Sequence, residues 1–290
     1  MKVNSGYFRF FAIGLASVWL ALFVFFPNLL VVITSLLTRD PSATVSLPFN
    51  LNSYWRTLDV LYLDVLWNSI KMAALATISC LLIGFPFAMA IVSLPKRWQT
   101  IALFFMIVPF WTNSLVRTYA IQFILGNQGI INKSLLALGL IDTPLQLLYT
   151  PFAVILGLCY ILIPFMVLPL YSALEKLDPR LHFAARDLGA SAFHRFIKIT
   201  LPLTSPGIVA GCLMVLLPAM GMFYISDLLG GAKNLLLGNV IKTQFLNTRD
   251  WPFGSAFSVM LMMLLGVMLW LYYRASRFTN KQGGIHDSNF

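Results

Sequence analysis

Acidic side chains are scarce in this chain, with ten Asp and Glu among 290 residues against twenty Lys and Arg. Charged residues of both signs make up only 10% of it, where a soluble globular domain carries about 25%. A water-soluble fold is thereby excluded for most of its length. Cysteine is also rare, and Cys80, Cys159 and Cys212 all fall inside apolar runs. That placement suits small packing residues rather than a disulfide framework or a metal site. The three histidines, His182, His194 and His286, lie in a loop and a tail, so no metal site is expected. No G-x-x-x-x-G-K-[S/T] phosphate loop, H-E-x-x-H pair or credible Ser/His/Asp arrangement occurs. The chain is therefore not expected to be an enzyme or to hydrolyse ATP itself.

What is abundant is apolar: 59% of the residues, with a mean hydropathy of +0.82. The solvent for such a chain is lipid. Six stretches reach the roughly 20 apolar residues that a bilayer crossing needs: near 10–37, 66–93, 100–123, 151–173, 203–226 and 254–274. Unpaired backbone groups are not tolerated in lipid and no alternating barrel pattern is present, so these stretches predict helices. The expected fold is an all-α polytopic membrane protein with six transmembrane helices in a single domain spanning 1–290. Pro27, Pro86, Pro109, Pro164, Pro169 and Pro218 fall inside these stretches and predict kinks. The first stretch is too long for a signal-peptide core and lacks a good small-residue cleavage site, so an uncleaved first span is expected. The basic surplus lies between the apolar runs, which reads as a topology signal rather than a nucleic-acid patch.

Placing the N-terminus inside assigns 1–9, 94–99, 174–202 and 275–290 to the cytoplasm. With Arg274 at the last helix end, these hold twice as many Lys and Arg as the opposite loops, which carry Arg39, Arg56, Lys133, Lys233, Lys242 and Arg249. The positive-inside rule then puts both termini and the 174–202 loop in the cytoplasm.

That loop holds the densest pattern in the chain. Asp178 followed by Pro179 is a helix start, an acidic N-cap with proline in the first turn. Leu181, Ala184, Ala185 and Leu188 recur at helical spacing and form one apolar face, kept low by the paired alanines. Gly189 ends the helix and permits a sharp turn, a basic amphipathic stretch runs from Ser191 to Thr200, and Pro202 marks the start of the fifth span. Amphipathicity alone fits either helices resting on lipid headgroups or a docking surface for another protein. The spacing decides for docking. Ala184, Ala185, Gly189, Ile199, Leu201 and Pro202 satisfy A-A-x3-G-x9-I-x-L-P, a chance match being on the order of 10⁻⁴ at ordinary residue frequencies.

This spacing resembles the cytoplasmic loop of the permease subunits of binding-protein-dependent ABC importers. In that family the loop forms a coupling helix seated in a cleft of the ATPase. The resemblance implies a type I ABC importer permease fold in the bacterial inner membrane, with coupling through 178–202. It also implies a homologous second permease, two ATPase subunits and a periplasmic binding protein as partners. No cofactor is then held by this chain, ATP and Mg being bound by the ATPase. The family glutamate is replaced here by Phe183, so no salt bridge or capping role of that carboxylate carries over. Four further runs, VPFWTNSLVRTY (108–119), YILIPFM (160–166), PAMGMFYISDLLGGAKN (218–234) and NTRDWPFG (247–254), are similar to the family's spermidine/putrescine permeases.

A polyamine pathway needs carboxylates, hydroxyls and aromatic faces in place of water around ammonium groups. Asp227, beside Phe223 and Tyr224, is the leading candidate; an interfacial acid in water or a partner for Arg117 is the other reading. Trp111, Asn113, Tyr119 and Tyr160 fit the same cavity, although interfacial anchoring or helix packing is the commoner explanation for each one alone. Lys71 is expected to snorkel, and Arg117 to pair with an acid or with helix carbonyls. Other classes remain open. A permease for another small nutrient is the nearest, a secondary transporter is further off for want of ion-coupling groups in broken helices, and a membrane enzyme lacks a catalytic cluster.

Overall fold

Backbone amides in lipid have no water to bond, so apolar runs of this length close their hydrogen bonds within helices. The computed structural model describes residues 5–40, 44–231 and 234–283. Lys2, Lys233 and His286 lie outside the described residues, as do the side chains of Arg9, Arg277 and Lys281. Helix α1 (Ser5–Leu20) runs through a π turn at Ala21–Phe25 into α2 (Phe26–Ser35). A small antiparallel hairpin follows, β1 (Thr38–Asp40) and β2 (Thr44–Ser46), with Arg39 opposite Val45. Next come α3 (Asn52–Thr57), α4 (Val60–Ser93), α5 (Lys96–Ile107), α6 (Ser114–Leu125), α7 (Ile130–Ala137) and α8 (Pro151–Glu175). The chain continues with α9 (Pro179–Asp187), α10 (Ala192–Arg195), α11 (Leu201–Gly221), α12 (Phe223–Ile225), α13 (Leu237–Leu246) and α14 (Trp251–Gly283).

Among the described residues, five helical runs are long and apolar enough to cross a membrane: Phe10–Ser35, Val60–Ser93, Pro151–Glu175, Ala192–Gly221 and Trp251–Arg274. A sixth crossing is completed when Lys96–Trp111 and Ser114–Ala137, bent by 92°, count as one span. Thus the expected stretch 100–123 is not one straight helix. Pro109 has no N–H for the helical ladder, the chain tightens into a 3₁₀ turn at Val108–Trp111, and Thr112 turns extended. Asn113 then starts a new helix, its Oδ1 accepting the Leu115 N–H at 2.8 Å.

The fifth stretch also differs at both ends. Helix is continuous through Pro202, because a π turn at Phe196–Thr200 widens the ladder just ahead of the missing proline N–H. The same device precedes Pro27. At the far end α11 stops at Gly221, so Asp227 lies beyond a break, in a π turn formed by Ser226–Gly230.

The chain divides into two compact units, one built from segments up to Leu63 and Val240–Leu264, the other from Asp64–Asn239 and the residues after Leu264. In the first, Tyr62 meets Phe253 and Phe257 edge-on at 5.0 and 5.1 Å. Asp250 is 1% exposed; it receives Arg56 at 2.9 Å, has Arg39 at 3.9 Å, and accepts the Phe253 N–H at 3.2 Å. The carboxylate therefore caps α14, pairs with Arg56 and lies within ion-pair reach of Arg39. Arg56 also lies over the Phe253 ring, 4.0 Å from its centroid. Replacing Asp250 by alanine is expected to cost about 1–2 kcal/mol, a lost cap and charge-assisted bonds discounted for half-exposed arginines. The readout is a lower thermal midpoint in detergent; an unchanged midpoint contradicts this account.

In the second unit, among the described residues, α8 and α11 pack against each other over much of their length. Gly207 and Gly211 let the backbones approach: a Cβ at Gly207 would lie 2.8 Å from the Pro169 carbonyl oxygen, and one at Gly211 2.8 Å from Met166 Sδ. Small residues at a crossing are how membrane helices gain packing without a hydrophobic driving force. Cys159 donates to the Ala76 carbonyl at 3.5 Å and Cys80 to the Cys159 carbonyl at 3.9 Å, so these buried free thiols join α4 to α8. Buried Gln99 closes the α4–α5 turn, donating to Val92 and Leu94 carbonyls at 2.9 and 2.7 Å and accepting from the Tyr171 hydroxyl at 3.0 Å. Beside it Lys96 pairs with Glu175.

Candidate functional site

The local sequence explains the geometry of the 178–202 segment residue by residue. Asp178 Oδ1 accepts the Arg180 N–H at 2.9 Å with Pro179 in the first turn, as an acidic N-cap requires. At the other end Gly189 has φ +80°, a left-handed conformation that glycine adopts without a Cβ penalty. Its N–H donates to the Arg186 carbonyl at 2.9 Å and the Ala190 N–H to the Ala185 carbonyl at 2.9 Å. This pair of bonds is a Schellman closure, and it requires the left-handed residue four positions after the carbonyl that the closure reaches. The A-x3-G part of the spacing is therefore a backbone requirement: Ala185 supplies the carbonyl and Gly189 the turn.

Between the caps, α9 shows its apolar side to the outside. Leu181, Phe183, Ala184 and Leu188 are exposed and Ala185 is half-buried. Phe183 carries Arg186 over its ring, 5.9 Å from the centroid, a cation–π contact. The Ser191 hydroxyl accepts the His194 N–H at 3.3 Å and starts the run that becomes α11. Within that run Ile199 is half-buried, while Leu201 and Pro202 are exposed.

The pathway candidates fall into separate groups. Asp227 is exposed, and Asn239 donates to its Oδ1. The same amide donates to the Phe223 carbonyl at 3.0 Å, and its own oxygen accepts the Leu236 N–H at 2.8 Å. Asn239 thus has both its amide hydrogens and its oxygen engaged and is only 2% exposed. Around it, the Ser226 hydroxyl donates to the Asn234 carbonyl, and Asn234 donates to Gly230 at 2.8 Å. Ser69 Oγ accepts the Leu237 N–H at 2.8 Å and Asn68 donates to Leu235 at 3.2 Å. These bonds satisfy backbone groups of Phe223, Gly230, Asn234, Leu235, Leu236 and Leu237. The sequence analysis named Asp227, Phe223 and Tyr224 but not the polar side chains packed around them, Asn68, Ser69, Asn234 and Asn239. The available signal was amide and hydroxyl side chains embedded in apolar runs.

Tyr160 belongs to a second group. It is 46% exposed and, with Arg117, lines a cavity of about 290 Å³ between α6, α7 and α8. Among the described residues Arg117 takes neither an acid nor a helix carbonyl, contrary to expectation. Its guanidinium lies over Phe110 and Tyr160, 5.1 and 5.9 Å from their centroids, because the bend at 108–113 folds Phe110 toward α6. Trp111 is exposed and meets Phe104 edge-on at 6.0 Å, while Tyr119 lines a groove of about 340 Å³ with Gln122 and Phe123. Asn113 is an exposed helix cap. Lys71 is exposed.

Long apolar helices and an exposed, doubly capped loop helix are what a membrane protein with a partner-docking loop requires. The chain belongs to the family of binding-protein-dependent transport system inner membrane components, whose model matches residues 80–280. Among its relatives, the spermidine/putrescine transport system permease protein PotB of Salmonella typhimurium is 59% identical over 264 residues, 91% of this chain and 92% of that one. PotB of Escherichia coli K12 is 58% identical over 91% of this chain and 96% of its own length. PotB of Haemophilus influenzae is 51% identical over 97% and 99%. Of solved structures, a chain of the bacterial alginate ABC transporter in complex with alginate pentasaccharide-bound periplasmic protein shares the fold with a TM-score of 0.77. That match is 14% identical and covers 96% of this chain and 97% of the other.

Proposed function

We propose that this chain is the permease subunit of an ATP-driven importer for spermidine- and putrescine-class polyamines. The observation that carries the reading is the 58–59% identity to named polyamine permeases over 91% of the chain, a likeness that favours polyamines over another small nutrient. The chain forms half of the translocation pathway beside a homologous second permease, and a periplasmic binding protein delivers the substrate. Two separate ATPase subunits bind ATP and Mg, and one grips α9 by its exposed apolar face. Both termini lie in the cytoplasm on this reading, as the distribution of Lys and Arg supports. Closure of the ATPases pushes on Ala184 and Ala185, and the membrane helices switch from inward-facing to outward-facing, resetting after hydrolysis.

In the pathway, Asp227 meets a substrate ammonium with its carboxylate, held in place by Asn239. Vesicles reconstituted with both permeases, the binding protein and the ATPase test the reading through uptake of radiolabelled spermidine and putrescine. Uptake is expected only with ATP and the ATPase present; uptake that persists without the ATPase sinks the mechanism. Asp227→Asn keeps the hydrogen-bonding shape but removes the charge. A lost charge-assisted contact of about 1.5–3 kcal/mol predicts roughly a tenfold or greater fall in uptake at low substrate, and normal uptake removes Asp227 from the pathway.

A further inference from the structure

We propose that Arg117 is a tethered cation occupying the aromatic site that a substrate ammonium would otherwise take, and that it thereby limits how tightly the pathway holds its substrate. This rests on the polyamine reading. Three observations carry it. Arg117 is only 9% exposed, and its Nε is buried without a hydrogen-bond partner. Its guanidinium instead faces the rings of Phe110 and Tyr160. The adjoining cavity of about 290 Å³ is walled by apolar side chains such as Ile121, Leu125 and Leu156, so the guanidinium and the Tyr160 ring are its polar features.

A buried guanidinium without a carboxylate is an expensive arrangement, and ring faces compensate it only in part. In a pathway meant for cations, an aromatic pair left vacant would hold an ammonium group and retain any other monovalent cation as well. With Arg117 in place the pair is already filled, and a second positive charge a few ångströms away is repelled. The exposed side of Tyr160 remains open to substrate, which gains that face only against the repulsion of Arg117. Weak retention of this kind favours release, as conduction through a multi-site path requires.

The test is equilibrium binding of radiolabelled spermidine to the assembled permease–ATPase complex in lipid vesicles, without the binding protein, for wild type, Arg117→Met, Arg117→Gln and Arg117→Lys. Removing an unpaired buried charge relieves a cost, so the two neutral variants are expected to assemble. Both should bind spermidine several-fold tighter, whereas Arg117→Lys should stay near wild type. Adding Tyr160→Leu to Arg117→Met should reverse the gain. Unchanged or weaker binding in assembled Arg117→Met or Arg117→Gln overturns the inference, as does a gain that survives Tyr160→Leu. If the wild-type assembly neither binds nor takes up polyamine, the functional reading fails and this inference with it. Wild-type uptake combined with unchanged binding in the neutral variants defeats this inference alone.

Discussion

Replacing Ala185 by glutamate is expected to abolish association with the ATPase and, with it, uptake, while the permease still inserts and folds. The helix itself tolerates the change. Glutamate is nearly as good a helix former as alanine, and what α9 uses from Ala185 in its closure is the backbone carbonyl. The surface does not tolerate it. Ala184 and Ala185 are the low point of an apolar face flanked by exposed Leu181 and Leu188, so a partner packed there would bury a carboxylate with no counter-charge. Truncating or burying such a group costs several kcal/mol, enough to lower affinity by about 10²-fold or more. Co-purification of the tagged permease with the ATPase measures this directly, with Ala185→Ser as the small-side-chain control that should still associate. Full recovery of the ATPase with Ala185→Glu would falsify the docking role.

The second large effect concerns folding. Valine at Gly207 should destabilise the α8–α11 pair severely, because even the first carbon of a side chain meets the Pro169 carbonyl oxygen at 2.8 Å and overlaps Ala173 Cβ. Neither neighbour is the free end of a flexible side chain. One is backbone beside a proline, so relief requires the helices to separate, and overpacking of this kind costs about 1–3 kcal/mol or more. Accumulation in the membrane and the thermal midpoint in detergent should both fall sharply. Gly221→Ala is the contrast, since nothing lies within 4 Å of a Cβ there. Equal stability of Gly207→Val and wild type would show that the two backbones are not in close contact.

Much of this architecture was legible because lipid leaves few options. Apolar length placed the long helices, and Asp178, Pro179 and Gly189 placed the ends of α9, each through a local rule about unpaired amides or positive φ. The breaks were harder to read. Pro109 and Pro202 are the same residue type in similar apolar surroundings, yet one accompanies a 92° bend and the other a continuous run. The difference lies in what the neighbours supply. Asn113 and Thr112 offer an extended residue and a cap, whereas the segment before Pro202 absorbs the missing N–H in a π turn. The Asn239 network was illegible for another reason: it joins residues as far apart in sequence as Ser69 and Leu237, and no local period encodes such a pairing. The expectation that Arg117 pairs with an acid or with helix carbonyls failed because aromatic faces from two different elements are brought to it by the fold.

The unbroken run from Ala192 to Gly221 has a mechanical meaning. Its 30 residues, at 1.5 Å each, make a rod about 45 Å long, with the loop segment as its handle. The regular ladder is interrupted along it at three places, the widened turn at Phe196–Thr200, Pro206 and Pro218, each of which takes up part of any swing given to the handle. The stroke of such a lever is therefore set by the stiffness of all three together.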